Sequence, residues 1–303
     1  MKRILLTGSN GLLGQKLTEA CITDPEIELI ATSIGADRFP FPGKYKYASM
    51  DICDAEDVNA VIDEFKPDII INTAAMTNVD VCEKEKQKCW DLNVEAVKNL
   101  IQVCERSGIH LIHLSTDFIF DGESGPYTEN DEPHPLSYYG ATKLEAEKLI
   151  QNSTCSWSIL RTIIVYGIVN DMSRSNIVLW AKSALEKGDP INVVNDQWRM
   201  PTLAEDLANC CILAAKKKAQ GIYNASGKDM MSIIELVENV ADYWKLNKAL
   251  INPITSESLN QDAKRPRRTG FNLDKTMNDL GYRPRSFKEG LAIVDKQLQN
   301  RKS

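Results

Sequence analysis

The chain has 303 residues, 43% hydrophobic and 26% charged, which supplies a buried core and excludes a disordered or fibrous class. A formal net charge of −6 argues against a nucleic-acid surface, so an anionic ligand has to be met by local cations and helix N-termini. Eight cysteines without any Cys-x-x-Cys spacing indicate neither a zinc cage nor a redox pair and read as free, mostly buried thiols.

The first element is a strand over 2–7, which turns sharply through Gly8-Ser9-Asn10-Gly11-Leu12-Leu13-Gly14 into a helix over 12–21. This spacing suits a dinucleotide. Gly8 permits the tight turn, Gly11 admits a pyrophosphate close to the backbone, Gly14 lets helix pack on strand, and the helix N-terminus attracts phosphate charge. Only Ile4-Leu5-Leu6 separate Met1-Lys2-Arg3 from Thr7, too few for a signal peptide, and no apolar run approaches the ~18 residues of a membrane span. A cytoplasmic protein without membrane contact is the expectation.

A second strand over 27–32 ends in Ala31-Thr32-Ser33, without the carboxylate that grips the ribose hydroxyls in NAD-specific sites. The nearest acid is Asp37, beside Arg38. NADPH is therefore expected to serve at least as well as NADH, with Ser33 or Arg38 near the 2′-phosphate. Further strands over 45–49, 68–72, 109–115 and 156–161 alternate with helices over 55–65, 94–107 and 137–152, Gly108 closing the second of these helices. Strands such as His110-Leu111-Ile112-His113-Leu114 are apolar on nearly both parities, as doubly buried strands are. The fold class is α/β, a doubly wound parallel sheet of the Rossmann type. Residues 117–135, rich in Gly and Pro, form a loop long enough to act as a rim or lid. His110 and His113 lie in a strand and His134 in a loop, with no metal spacing, and none is assigned chemistry.

Beyond Arg161 the alternation loosens into helices and short strands over 176–187, 191–194, 203–216, 221–225, 232–244, 273–280 and 287–300. This reads as a dinucleotide domain over 1–161 and a smaller C-terminal α/β substrate lobe over 162–303, with some segments returning to the first domain and the site in the cleft between them.

Tyr139 and Lys143 lie four apart in the helix over 137–152 and share one face, with Tyr138 turned off it. A glycine-rich turn, a strand ending in Ser115-Thr116-Asp117 and this Tyr-x-x-x-Lys resemble the three-part signature of the short-chain dehydrogenase/reductase superfamily. The resemblance implies Tyr139 as proton donor to a carbonyl under hydride attack, Lys143 lowering its pKa and reaching the nicotinamide ribose, and Thr116 donating to the same oxygen.

Several runs narrow the resemblance to the dTDP-4-dehydrorhamnose reductase family: Asn72-Thr73-Ala74-Ala75-Met76-Thr77-Asn78-Val79-Asp80, Ser115-Thr116-Asp117-Phe118, Arg161-Thr162-Ile163-Ile164-Val165-Tyr166-Gly167, Asn195-Asp196-Gln197 and Arg265-Pro266-Arg267. It implies that Ala74, Ala75, Thr77 and Ser115 lie along the cofactor and that Asp51 and Ile52 bracket the adenine. Val79, Asp80, Thr116, Asp117 and Phe118 would line the substrate, with Arg199, Arg265 and Arg267 as its cations and Arg268 beside them. Ile164 stands where the family carries a Trp, removing a stacking surface for the hexose. Phe118 stands where the related dehydratases carry Glu, which speaks against dehydration. The implied function is NADPH- or NADH-dependent reduction of a nucleotide-linked 4-keto-6-deoxy sugar, foremost dTDP-4-dehydrorhamnose to dTDP-rhamnose, without a metal and with a homodimer as the possible assembly. The alternatives are a nucleotide-sugar epimerase of the same superfamily and a non-catalytic regulatory subunit like the beta subunit of methionine adenosyltransferase.

Overall fold

The computed structural model describes residues 1–41, 43–170, 176–259 and 261–301. Six strands in chain order, β1 (Lys2–Thr7), β2 (Ile27–Ser33), β3 (Tyr45–Ser49), β4 (Ile69–Asn72), β5 (His110–Thr116) and β6 (Trp157–Thr162), enter one parallel sheet with the later strand Gly221–Asn224. The spatial order is Gly221–Asn224, β6, β5, β4, β1, β2, β3. The chain thus winds outward from β1 in one direction and from β4 in the other. The crevice at the C-terminal ends of β1 and β4 is where such sheets bind ligands.

Helices cover both faces because the strands are apolar on both. On one face α1 (Leu12–Ile22) packs with the helix Ala204–Lys217 over Ile4, Leu6, Ile69 and Ile71. On the other, α2 (Ala55–Phe65), α5 (Ala96–Ser107) and α6 (Tyr138–Gln151) cover Leu5, Ile30, Ile70 and Leu111. Asp54 caps α2 by accepting from Glu56 N at 2.9 Å, Ser137 caps α6 by accepting from Gly140 N at 3.2 Å, and Gly108 ends α5 at φ 66°. A separate apolar cluster around Val178, Leu236, Val237 and Leu291 unites the C-terminal helices. Among the described residues no helix is long and apolar enough to cross a membrane.

Three features add to the sequence pattern, one of them the expected return of a C-terminal segment to the first domain. Two short helices, α3 (Val79–Lys84) and α4 (Lys86–Trp90), and a π-helical turn Asp91–Glu95 fill the stretch after β4, segments too short to give a readable period. The strand Gly221–Asn224 returns from the C-terminal half to pair with β6. The loop after β5 is anchored rather than loose: Tyr127 stacks on Phe120 with ring centroids 4.0 Å apart, accepts from Gly122 N at 2.9 Å and donates to Asp121 at 2.8 Å.

Candidate active site

A cleft of about 720 Å³ opens at the C-terminal ends of the strands. Its floor is the turn between β1 and α1. Gly8 sits at φ 67°, and a Cβ there would lie 2.9 Å from Ala74 N; a Cβ on Gly14 would lie 2.2 Å from Gly8 O. Both positions are therefore closed to other residues, and the turn is held against β4. Gly11, the N-cap of α1, offers no side chain to the helix's first N–H groups, and no acid lies in that first turn. These N–H groups are placed to receive an anion. Ser9 Oγ and Ser115 Oγ are buried without a hydrogen-bond partner among the described residues, and Ser115 lines the cleft. Gly14→Ala is expected to reduce dinucleotide affinity at least tenfold, about 1.4 kcal/mol, because α1 must move off Gly8; titration calorimetry with NADPH measures it.

Asn10, Gly11, Leu12, Leu13, Gly14, Ser33, Arg38, Ala74, Ala75, Thr77, Ser115, Tyr139 and Lys143 all line this cleft. Asn10 ties the turn to the segment after β2, accepting from Arg38 N at 2.8 Å and donating to Ala36 O at 2.9 Å. Asp37 does not line the cleft; its carboxylate accepts from the Tyr45 hydroxyl at 2.5 Å. Asp51 and Ile52 are also off it, Asp51 accepting from Cys53 N at 2.9 Å and Ile52 buried in the core under α2. Asn93, from the π-helical turn, carries no motif that marks it in the sequence. It accepts from Met76 N at 2.8 Å and donates to Met76 O and Thr142 Oγ1 at 3.1 Å, joining the 74–77 wall to α6.

Thr116 ends β5, and Asp117 and Phe118 follow it into the cleft with Tyr139 and Lys143. The Phe118 and Tyr139 rings meet edge to face at 5.8 Å. Burial pushes the Tyr139 phenol above its ordinary value, and the leading opposing influence is a hydrogen bond with Thr116. Among the described residues the Lys143 nitrogen is not hydrogen-bonded to this phenol. The Lys143 nitrogen donates instead to Leu114 O at 2.7 Å and lies 2.9 Å from His113 Nε2, and burial brings its pKa down to about 8. His113, to which the sequence assigned no chemistry, is thus the residue beneath Lys143.

On the substrate side Val79 and Ile164 line the cleft. Ile164 sits at φ 31°, a region β-branched residues rarely adopt, and its carbonyl accepts from Thr202 N at 3.0 Å. The expected cations are placed differently. Arg265 is ion-paired with Asp80 at 2.6 Å, so those two neutralise one another at the rim. Arg199 is only 2% exposed, donates to Pro266 O at 2.6 Å and lies 3.7 Å from Asp117. Arg267 lies over the Trp198 ring, 5.8 Å from its centroid. None of these three arginines lines the cleft: Arg265 and Arg199 take carboxylate or carbonyl partners from their own chain, and Arg267 packs on Trp198.

Residues 1–300 match the model of the RmlD substrate binding domain family. A dTDP-4-dehydrorhamnose reductase of Aggregatibacter actinomycetemcomitans is 32% identical over 97% of this chain and 98% of its own. A methionine adenosyltransferase 2 subunit beta of Xenopus laevis is also 32% identical, over 84% of this chain and 76% of its own. Among solved structures, the dTDP-4-dehydrorhamnose reductase of Bacillus anthracis in complex with NADP superposes with a TM-score of 0.83, at 26% identity over 98% of this chain and 99% of that one. The glycine turn, the switch-point cleft and the Tyr139–Lys143 face sit on a chain that belongs, over nearly its whole length, to the RmlD substrate binding domain family of extended short-chain dehydrogenases/reductases.

Proposed function

We propose that this chain is an NAD(P)H-dependent oxidoreductase that reduces a nucleotide-linked 4-keto-6-deoxy sugar, with dTDP-4-dehydrorhamnose as its foremost substrate. The observation that carries the reading is the convergence of Thr116, Tyr139 and Lys143 on the same cleft as the open N-terminus of α1 and the unpartnered Ser115 hydroxyl. Those groups fit a dinucleotide: the turn at Gly8 and Gly14 with the α1 N–H groups would hold the pyrophosphate, and Ala74, Ala75, Thr77 and Lys143 would lie along the rest. A nicotinamide bound there would supply the hydride. Tyr139 gives its phenolic proton to the carbonyl oxygen, Thr116 donates to the same oxygen, and Phe118 braces the Tyr139 ring. Family membership and the NADP-bound Bacillus anthracis relative support the oxidoreductase class.

NADPH is expected to be used at least as well as NADH, because Asp37 is engaged by Tyr45 while Ser33 and Arg38 line the cleft. A preference for NADH above about tenfold, ~1.4 kcal/mol, in the ratio of kcat/KM values counts against this. The function is tested by mixing the protein with NADPH and a panel of nucleotide 4-keto sugars and following NADPH absorbance. Consumption with one of them supports the reading. NADPH binding without consumption overturns it and favours a regulatory subunit, to be tested by capture of a methionine adenosyltransferase catalytic subunit.

A further inference from the structure

Thr7, Asn72 and His113 are register partners across β1, β4 and β5. Partners in one rung project from the same face. Their side chains accordingly form a row: Thr7 Oγ1 donates to Asn72 Oδ1 at 2.6 Å, and Asn72 Nδ2 meets His113 Nδ1 at 3.1 Å. The row ends on Lys143, 2.9 Å from His113 Nε2. None of the four side chains is more than 2% exposed.

Donor counting assigns the protons. Ala74 N–H can only donate and lies 3.2 Å from Asn72 Oδ1, so the amide turns its oxygen to Ala74 and its NH₂ to His113. Nδ1 must then present a lone pair, and the proton of the neutral ring sits on Nε2, facing Lys143. An ammonium at that distance would set N–H against N–H. A neutral amine accepts from Nε2–H and still donates to Leu114 O. Burial acts the same way on both groups, holding His113 well below its usual range and Lys143 near 8.

We propose that Asn72 and His113 are positioning residues: the Nε2–H tautomer of His113 faces Lys143 and favours its neutral amine over the ammonium, and protonation of Lys143 turns its nitrogen off His113 toward Tyr139. The kinetic consequence rests on the reductase reading; the tautomer does not. The other ionisable groups that act on Lys143 are Glu147 on its own helix and Cys89 on α4; Tyr139 lies one turn before it on the same helix, and Cys82 on α3 and Asp117 after β5 act on Tyr139. Glu147 is paired with Arg161 of β6 at 2.7 Å, and Asp117 accepts from the Thr269 hydroxyl and lies 3.7 Å from Arg199. Among the described residues only His113 and Leu114 O hydrogen-bond the Lys143 nitrogen.

Asn72→Asp tests the proposal almost isosterically. An aspartate accepts from Thr7, Ala74 and His113 Nδ1–H together, so the ring proton moves to Nδ1 and Nε2 becomes an acceptor for the Lys143 ammonium. The chain has three histidines, and imidazole ¹⁵N spectra with His113→Gln as the assignment control read the tautomer directly. Nε2–H is expected in the wild type near neutral pH and Nδ1–H in Asn72→Asp. An Nδ1–H or imidazolium His113 in the wild type overturns the proposal, and that spectrum decides even if the variant fails to fold. In the second arm, kcat/KM for reduction is followed against pH. The alkaline limb set by Lys143 is expected to move upward by at least about one unit in Asn72→Asp. A limb that stays in place while the tautomer switches overturns the role given to the two residues. Should no nucleotide sugar be reduced, the reductase reading fails, and the wild-type tautomer still decides this one.

Discussion

Replacing Tyr139 by Phe is expected to lower kcat for reduction by about 10²-fold or more, with NADPH affinity changed by less than about twofold. The ring survives the substitution, because its packing comes from Phe118, Cys82 and Cys89 rather than from the hydroxyl. What is lost is the proton for the forming alkoxide. The sign of the pH dependence follows from burial: a phenol held above its ordinary value stays protonated, and so able to donate, throughout the neutral range, and that capacity is lost only as pH rises through the raised value. Steady-state kinetics with calorimetric NADPH binding separates the two effects. A variant as active as the wild type would remove Tyr139 from the chemistry.

Arg161→Met is expected to destabilise the fold by about 3–5 kcal/mol, measured by urea unfolding. Arg161 is 3% exposed and Glu147 fully buried, and the guanidinium reaches the carboxylate through Nη2 at 2.7 Å and Nε at 3.0 Å. It also donates to Glu129 O at 3.2 Å and lies over the Phe120 ring, 5.4 Å from its centroid. This one side chain therefore joins β6, α6 and the loop after β5. The variant leaves Glu147 as an unpaired buried carboxylate one helical turn beyond Lys143. Combining Arg161→Met with Glu147→Leu is expected to recover most of the loss, since an apolar pair of similar volume avoids desolvating two charges. A single-variant loss below about 1 kcal/mol would mean that the pair is no strut.

Much of the dinucleotide side was legible from contiguous residues. The turn from Gly8 to Gly14 announces itself because a tight turn, an anion approach and helix–strand packing each require glycine at a set offset, and the structure realises the first and third through the backbone contacts at Gly8 and Gly14. Tyr139 and Lys143 needed only the helical period to reach one face, and both line the cleft with Thr116. The parallel, doubly wound sheet likewise follows from alternating strands and helices whose strands are apolar on both parities, and β1, β3 and α2 fall on the expected residues.

Pairings across the chain were decided by the tertiary structure. Arg265 reads as a free cation in an Arg-Pro-Arg-Arg run, yet Asp80, far back in the sequence, neutralises it. Arg199 reads as a substrate contact and is a buried strut against Asp117 and the carbonyls of 266–267. His113 reads as an ordinary strand histidine, and only the register of β1, β4 and β5 sets it between Asn72 and Lys143. Local chemistry and periodicity are carried by neighbouring residues and so are written in the sequence; strand register and the partner of a buried charge depend on which distant groups the fold brings within about 3 Å, the range over which a hydrogen bond forms.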